Sequence, residues 1–143
     1  MKVHGMNHFT ILAKDLDETR SFYTEILGLR EGYRPPFAFP GIWFYAGKQP
    51  ILHVIKRERL PDPKGGVFDH MAYSGRNLPG MLAKLKARGI GHELTKQVES
   101  GIWQLFFHDP NGAKIEIDFV PTESPEPRPR AARPARKPAA VPG

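Results

Sequence analysis

The stretch Phe106-Phe107-His108-Asp109-Pro110-Asn111-Gly112-Ala113-Lys114-Ile115-Glu116-Ile117-Asp118-Phe119 decides the fold, because it predicts a strand, a tight turn and a second strand. Proline fixes φ, while asparagine and glycine tolerate positive φ, so Asp-Pro-Asn-Gly is typical of a turn. After the turn, polar and apolar residues alternate, which places Glu116 on the face opposite Ile115 and Ile117. A carboxylate in the middle of a strand indicates either an exposed edge or a functional interior.

The composition is that of a globular protein. The chain of 143 residues suits one domain with one core, and it is 40% hydrophobic and 25% charged. It contains no cysteine, which excludes disulfides and thiolate metal sites and is compatible with a reducing compartment. No apolar run approaches the roughly 20 residues of a membrane helix, and the first residues lack the pattern of a signal peptide. The composition therefore predicts a cytoplasmic protein without a membrane partner.

Residues 121–143 form a Pro/Arg-rich basic segment that differs from the rest of the chain. Seven of the fifteen prolines lie there, together with five basic side chains and only two acidic ones. The segment has almost no large apolar residue to offset its ordering entropy, so we expect a disordered tail. It indicates either a solvated extension or a weak electrostatic tether to nucleic acid or an acidic surface. Residues 1–120 then form the domain, and their small net charge does not indicate a nucleic-acid partner.

The elements predicted in residues 1–120 occur twice in the order strand-helix-strand-strand-strand, over about 6–60 and 67–120. The first helix follows Asp15 and the second follows Asn77, both of which are favourable helix caps. Strands are predicted at 6–13, 29–34, 42–46, 51–56, 67–74, 92–99, 102–108 and 113–120. The pattern predicts an α+β fold built from two copies of one module.

The repeat brings four polar residues to matched positions, His8 with His70 and His53 with Glu116. Side-chain alternation sends each of them to one face of its strand. Three imidazoles and a carboxylate that converge predict a divalent metal site suited to Fe, Mn, Ni, Co or Zn. His8, His70 and Glu116 alone would form a two-histidine, one-carboxylate triad with open positions. A single histidine in a strand is more often packed or exposed than a ligand, so the prediction depends on the match between the two copies.

The chain resembles the vicinal oxygen chelate superfamily, which includes glyoxalase I, methylmalonyl-CoA epimerase, fosfomycin-resistance transferases, bleomycin-resistance proteins and extradiol dioxygenases. The resemblance covers residues 6–120, and the motifs that carry it are Asn7-His8-Phe9-Thr10-Ile11, residues 15–29, Asp69-His70-Met71-Ala72-Tyr73, and Phe107-His108-Asp109-Pro110-Asn111-Gly112 leading to Ile115-Glu116-Ile117. It implies two βαβββ modules that form a U-shaped mixed sheet around a metal site.

The resemblance also implies a ligand set and an assembly. His8, His70 and Glu116 match metal ligands of the superfamily, and His53 matches the fourth ligand position of the glyoxalase I and epimerase branches. Two-module members usually dimerise and often pool ligands across the interface, so a homodimer is implied. Whether the ligands come from one chain or from two stays open at this point.

Departures from the family patterns narrow the reaction. Glyoxalase I usually has Glu or Gln in place of His53, and its bacterial members have Arg in place of Leu12 and Asn in place of Arg57, so a glutathione hemithioacetal substrate is not indicated. Fosfomycin-resistance enzymes carry an Arg soon after the last ligand, which this chain lacks. Extradiol dioxygenases have Tyr in place of Phe106, although His53 could match their neighbouring acid–base histidine. Bleomycin-resistance proteins lack the metal ligands.

The interpretation that these comparisons favour is a metal-dependent, glyoxalase I-like lyase or isomerase. It would chelate vicinal oxygens of a small substrate and stabilise an enediolate, with Glu116 as the first candidate for the base and His53 as the second. The alternatives are an extradiol-type ring-cleavage dioxygenase using Fe(II) or Mn(II), and a metal-free binding module for a drug or metabolite. Six aromatic residues are expected to line the substrate pocket: Phe37, Phe39, Trp43, Tyr45, Trp103 and Phe106.

Overall fold

The computed structural model describes residues 1–62 and 66–127. In these ranges the chain forms β1 (Phe9–Ala13), α1 (Leu16–Glu25), β2 (Arg30–Glu31), β3 (Gly41–Ala46), β4 (Gln49–Lys56), β5 (Met71–Ser74), α2 (Leu78–Ala87), β6 (His92–Lys96), β7 (Trp103–His108) and β8 (Lys114–Phe119). The order strand-helix-strand-strand-strand therefore occurs twice, which confirms the predicted α+β fold with two βαβββ modules. No helix within these ranges is both long enough and apolar enough to span a membrane.

Each module folds into one four-stranded mixed sheet. The strand order is β1-β4-β3-β2 in the first module and β5-β8-β7-β6 in the second. The first strand of each module pairs in parallel with the last. The helix returns the chain to the end of the sheet where the first strand began, and the two antiparallel connections that follow leave the last strand running in the direction of the first. The remaining pairs are antiparallel. The two sheets thus place equivalent residues at equivalent positions.

The helices begin at side chains that satisfy free backbone donors. The Asp15 carboxylate accepts hydrogen bonds from the backbone N–H groups of Asp17 and Glu18, at 2.8 and 3.0 Å. Asn77 accepts one from the Gly80 N–H at 3.2 Å, and it does so in the left-handed region, with φ of 67°. Side-chain caps of this kind stabilise a helix by about 1 kcal/mol each. Both predicted helix starts are confirmed.

One face of each sheet packs into the core. Ile115, Ile117 and Phe119 of β8 are at most 3% exposed, and they lie opposite Phe107, Leu105 and Trp103 of β7. The alternating apolar residues of β8 therefore face the core, as their period of two predicts. Glu116 and Asp118 lie on the other face of the same strand, and that face carries the polar residues discussed below.

The turn between β7 and β8 connects the second module to the first. Asp109 is 5% exposed, and its carboxylate accepts hydrogen bonds at 2.8 Å from the backbone N–H groups of Asn111 and Ala113 and from the hydroxyl of Tyr23. Asn111 in turn donates to Thr19 Oγ1 at 3.1 Å. Tyr23 and Thr19 belong to α1, so this turn holds the two modules together.

Several strands are shorter than predicted. The segments predicted at 6–13, 29–34, 67–74 and 92–99 form strands only over Phe9–Ala13, Arg30–Glu31, Met71–Ser74 and His92–Lys96. Val67 and Phe68 illustrate the reason, because they are 101% and 82% exposed, and β-branched and aromatic residues form strands only when a neighbouring strand packs on them. Local sequence pattern does not reveal where that partner strand ends.

Part of the predicted tail contacts the domain. The Glu123 carboxylate accepts hydrogen bonds from the backbone N–H groups of Asn77 and Leu78, at 2.8 and 3.1 Å. Trp103 Nε1 donates to the Glu123 carbonyl at 2.9 Å. The chain after β8 therefore packs against the start of α2. Residues 128–143, which make up most of the predicted disordered tail, lie outside the described residues, and the domain boundaries stay a prediction.

Candidate metal centre

His70 and Glu116 form the first of two pairs of candidate ligands, which we call the carboxylate half-site. His70 directly precedes β5, and Glu116 lies in β8 beside Ala72, so the parallel pairing of these strands brings the two side chains together. His70 Nε2 lies 2.6 Å from Glu116 Oε2. The other ring nitrogen, Nδ1, lies 2.7 Å from Asp69 Oδ2, and this contact fixes the orientation of the imidazole.

Glu116 is buried and held in position by a neighbouring strand. It is 5% exposed, and its Oε1 accepts a hydrogen bond from Gln104 Nε2 at 2.6 Å. Asp118, two residues further on the same face, has a buried Oδ1 without a hydrogen-bond partner among the described residues. Burial, and then the adjacent Glu116 carboxyl group, raise the pKa of Asp118. The carboxylate half-site therefore has a second carboxyl group, that of Asp118, beside the buried Glu116.

His8 and His53 form the second pair, which we call the imidazole half-site. Their rings stack with centroids 3.8 Å apart, and the other face of His53 stacks on Trp43, also at 3.8 Å. Asn7 Oδ1 lies 2.7 Å from His8 Nδ1. His53 Nε2 is buried and has no hydrogen-bond partner in the part of the chain that the structure describes. Burial, and then the neighbouring His8, lower the pKa of His53, which favours the neutral imidazole that a metal requires.

The two half-sites occupy equivalent positions in the two modules. His53 lies beside Thr10 of β1 and opposite Trp43 of β3. Glu116 lies beside Ala72 of β5 and opposite Phe106 of β7. His8 and His70 each stand directly before the first strand of their module. The structure therefore gives the four residues the matched positions that the repeat in the sequence indicated.

The structure joins the four residues only in pairs. Among residues 1–62 and 66–127, no three His, Cys, Asp or Glu side chains lie close enough together to hold one metal ion. Each half-site nonetheless suits half of a divalent metal site. One offers an unpartnered imidazole nitrogen of His53, and the other holds an imidazole nitrogen of His70 and a carboxylate oxygen of Glu116 in direct contact. Imidazole and carboxylate are the donors that Fe, Mn, Ni, Co and Zn accept.

The predicted aromatic residues divide between the two faces of the sheets. Trp43 stacks on His53, and Phe106 meets His70 edge-on with ring centroids 5.7 Å apart. The ring centroids of Phe37 and Trp43 lie 6.1 Å apart. Trp103 does not belong to this surface, because its position in β7 is in phase with the buried Leu105, so it packs against the core. The prediction that Trp103 lines the pocket is therefore wrong.

Other aromatic residues of the predicted set lie at the edge of the same face. Phe39 stacks on Phe37 with ring centroids 5.3 Å apart. Tyr45 shares the face of Trp43, and its hydroxyl donates to the Tyr33 carbonyl at 2.6 Å. Phe37 and Phe39 are 45% and 39% exposed, so they border an open surface and do not enclose a cavity.

The sequence reasoning missed the residues that orient the candidate ligands. Asn7 and Asp69 cannot be recognised from composition, but one signal was available: each stands directly before a candidate ligand histidine in the repeat. Gln104 gave no such signal, because only the register between β7 and β8 brings it to Glu116. Arg34 was likewise missed, and its positive charge also lowers the pKa of His53.

Comparison with known proteins agrees with this architecture. The model of the Glyoxalase/Bleomycin resistance protein/Dioxygenase superfamily matches residues 5–117. A protein of Arabidopsis thaliana named Glyoxylase I 4 is 32% identical over 124 residues, which cover 79% of this chain and 69% of the plant protein.

Solved structures show the same fold. A glyoxalase family protein from Enterococcus faecalis is 26% identical, with a TM-score of 0.63 over 80% of this chain and 96% of that one. A mutant of FosX, a fosfomycin resistance protein from Listeria monocytogenes, was solved with Mn(II) and dihydroxypropylphosphonic acid. It is 17% identical, with a TM-score of 0.68 over 83% of this chain and 94% of that one. From the family match, the paired modules and the plant relative together, the chain belongs to the Glyoxalase/Bleomycin resistance protein/Dioxygenase superfamily.

Proposed function

We propose that this protein is a metal-dependent, glyoxalase I-like lyase or isomerase that acts on a small substrate with two vicinal oxygens. The observation that carries the proposal is the pair of half-sites at equivalent positions of the two modules. One contains an unpartnered, buried imidazole nitrogen, and the other contains a buried carboxylate in contact with an imidazole. The similarity to Glyoxylase I 4 supports a reaction of this class, and the absence of cysteine fits a cytoplasmic location.

The proposed metal ligands are His8, His53, His70 and Glu116. When bound, a divalent ion would supply Lewis-acid polarisation of two vicinal substrate oxygens. The FosX complex shows that this fold accommodates Mn(II) in another protein. Asn7 and Asp69 would keep His8 and His70 correctly oriented, since each contacts a ring nitrogen at 2.7 Å.

Glu116 is the proposed proton carrier. A base must remove the proton from the hydroxyl-bearing carbon next to a substrate carbonyl and return it to the former carbonyl carbon, while the hydroxyl proton moves to the former carbonyl oxygen. The substrate is then isomerised and the carboxylate is unchanged. Gln104 donates to Oε1 of Glu116 and thereby restrains the carboxylate. His53 is the second candidate, because its lowered pKa leaves the ring neutral and able to accept a proton.

A homodimer in which each site combines half-sites from two chains is part of the proposal. The imidazole half-site and the carboxylate half-site belong to different sheets of one chain. A twofold dimer would bring the imidazole half-site of one protomer to the carboxylate half-site of its partner, and the symmetry would create two equal sites. Every site would then contain three imidazoles and one carboxylate.

Elemental analysis of protein purified without oxygen tests the metal site. We expect one metal ion per chain in the wild type, and near-complete loss in His8→Ala and in Glu116→Ala. His92→Ala is the matched control, because its ring is exposed and its Nδ1 lies 3.1 Å from the Ile90 carbonyl oxygen, away from both half-sites. Absence of metal from the wild type after reconstitution would refute the proposal and leave a metal-free binding module.

Mixing the two inactive variants tests the shared site. If sites form between chains, a heterodimer of His8→Ala and Glu116→Ala contains one intact site and one doubly altered site. Refolding the two variants together then restores up to about a quarter of the wild-type metal content, because random pairing makes half of the dimers mixed. If each site lies within one chain, no metal returns.

The identity of the metal separates the two enzyme classes. Nickel, cobalt or zinc would support isomerase and lyase assays on hydroxyketones and ketoaldehydes. Iron or manganese, together with oxygen uptake on catechol, would instead support the extradiol-type dioxygenase.

A further inference from the structure

Arg34 lies in the loop between β2 and β3, where three contacts fix its side chain. Its Nη2 donates to the Phe39 carbonyl at 2.8 Å. The guanidinium carbon lies 4.9 Å from the centre of the Phe37 ring and 5.1 Å from that of Phe39. A Cβ atom at Gly41 would lie 3.1 Å from Nη2, so the guanidinium lies beside the backbone at the start of β3. The charge is therefore held in place before any ligand arrives.

The position of Gly41 places this guanidinium on the same face as the imidazole half-site. Gly41 begins β3, and Trp43 follows two residues later on the same face of the strand. Two residues along a strand are roughly 7 Å apart. Trp43 stacks on His53, so Arg34 and the candidate metal ligand His53 lie along the same face of this sheet. Phe37, which lies against both Arg34 and Trp43, provides an apolar surface between them.

Among residues 1–62 and 66–127, Arg34 has unused N–H donors and forms no ion pair. A guanidinium carries five N–H donors, and the contact to the Phe39 carbonyl uses one of them. Over residues 1–62 and 66–127, no carboxylate forms an ion pair with Arg34, whereas Arg20 and Arg88 both have such partners. A fixed guanidinium with free donors beside an aromatic surface has the properties of a carboxylate-binding group.

We propose that Arg34 binds a carboxylate of the substrate and so restricts the substrates to small acids with an apolar, preferably aromatic, body. The carboxylate would lie on the free N–H groups of Arg34, the apolar body on Phe37 and Trp43, and the two vicinal oxygens near His53. This inference rests on the proposed function for the position of the vicinal oxygens. The recognition of the carboxylate itself does not require a metal and is tested without one.

Binding of benzoate and benzamide to the metal-free full-length chain tests the inference. The two molecules have nearly the same shape, and only benzoate is charged. Isothermal titration calorimetry with each molecule should show at least about tenfold tighter binding of benzoate to the wild type, since charge-assisted hydrogen bonds exceed neutral ones by this order. Arg34→Met should abolish the preference and leave the weak binding of benzamide unchanged. Arg34→Lys should keep part of it, because the charge remains while the planar fork is lost.

Arg30→Met is the matched control. The Arg30 guanidinium also lies over an aromatic ring, that of Tyr45 at 5.1 Å, so both variants lose one positive charge that is packed on an aromatic surface. Arg30→Met should keep the preference for benzoate. Equal affinity of the wild type for the two probes, or an undiminished preference in Arg34→Met, would overturn the inference.

Metal analysis of the same proteins separates this inference from the proposed function. If the wild type binds metal but shows no preference for benzoate, the proposed function is supported and the role of Arg34 is refuted. If the wild type prefers benzoate but takes up no metal, the carboxylate site is supported and the metal-dependent function is refuted.

Discussion

The hydrogen bond from Tyr23 to Asp109 should be a major contribution to the stability of the domain, and Tyr23→Phe removes it without changing the shape of the core. Tyr23 is fully buried in α1, and its hydroxyl donates to the Asp109 carboxylate at 2.8 Å. A hydrogen bond to a charged acceptor contributes about 1.5–3 kcal/mol. Asp109 keeps its two backbone donors, so we expect the variant to lose about 2 kcal/mol of unfolding free energy.

Urea denaturation at pH 7, followed by circular dichroism, measures this loss. In a separate thermal unfolding experiment, the melting temperature should fall by roughly 8 °C, given an unfolding entropy of about 2.1 cal/mol/K per residue. Tyr33→Phe is the control, because Tyr33 is 74% exposed and a change there should cost less than about 0.5 kcal/mol. If the two variants lose the same free energy, the buried contact does not hold the modules together as we infer.

The same bond predicts how stability depends on alkaline pH. Burial, and then the Asp109 carboxylate, raise the pKa of Tyr23 well above its usual value near 10. Above that usual value the unfolded chain loses the hydroxyl proton while the folded chain retains it, so the unfolding free energy falls as the pH rises. Burial raises the pKa of Tyr73 in the same direction. The wild type should therefore lose stability above pH 10 more steeply than Tyr23→Phe, and parallel curves would contradict this assignment.

Three further predictions concern separate parts of the molecule. Gly41→Ala should destabilise the domain by about 1–3 kcal/mol in urea denaturation, because the added Cβ would lie 2.2 Å from the Val54 carbonyl oxygen. An unchanged urea concentration at the midpoint of unfolding would contradict this close packing. Glu123→Ala should cost about 1 kcal/mol in the same assay, since it leaves two N–H groups at the start of α2 without their acceptor; a loss no larger than that of an exposed-site change would count against this cap. Metal at about one hundred times its dissociation constant should stabilise the wild type by about 2.7 kcal/mol in thermal unfolding, an effect that a chelator reverses; an equal gain in Glu116→Gln would indicate binding elsewhere.

The sequence by itself determined the architecture and the identity of the candidate ligands. Alternation in the strands, turn chemistry at Asp109–Gly112 and the caps Asp15 and Asn77 are local properties, so they can be read without a partner strand. The repeat related His8 to His70 and His53 to Glu116, because a duplicated module conserves its strand register.

Only the tertiary structure decided how these residues are partnered. Gln104 reaches Glu116, and Trp103 faces the core, because of the phase of β7 against β8. Arg34 faces the imidazole half-site because a loop folds over Gly41, and Glu123 caps a helix that begins far from it in sequence. Such contacts join residues that are distant along the chain, and no local pattern specifies them. The same reason explains why the sequence left open whether the four candidate ligands meet within one chain, while the folded chain presents them as two half-sites on separate sheets.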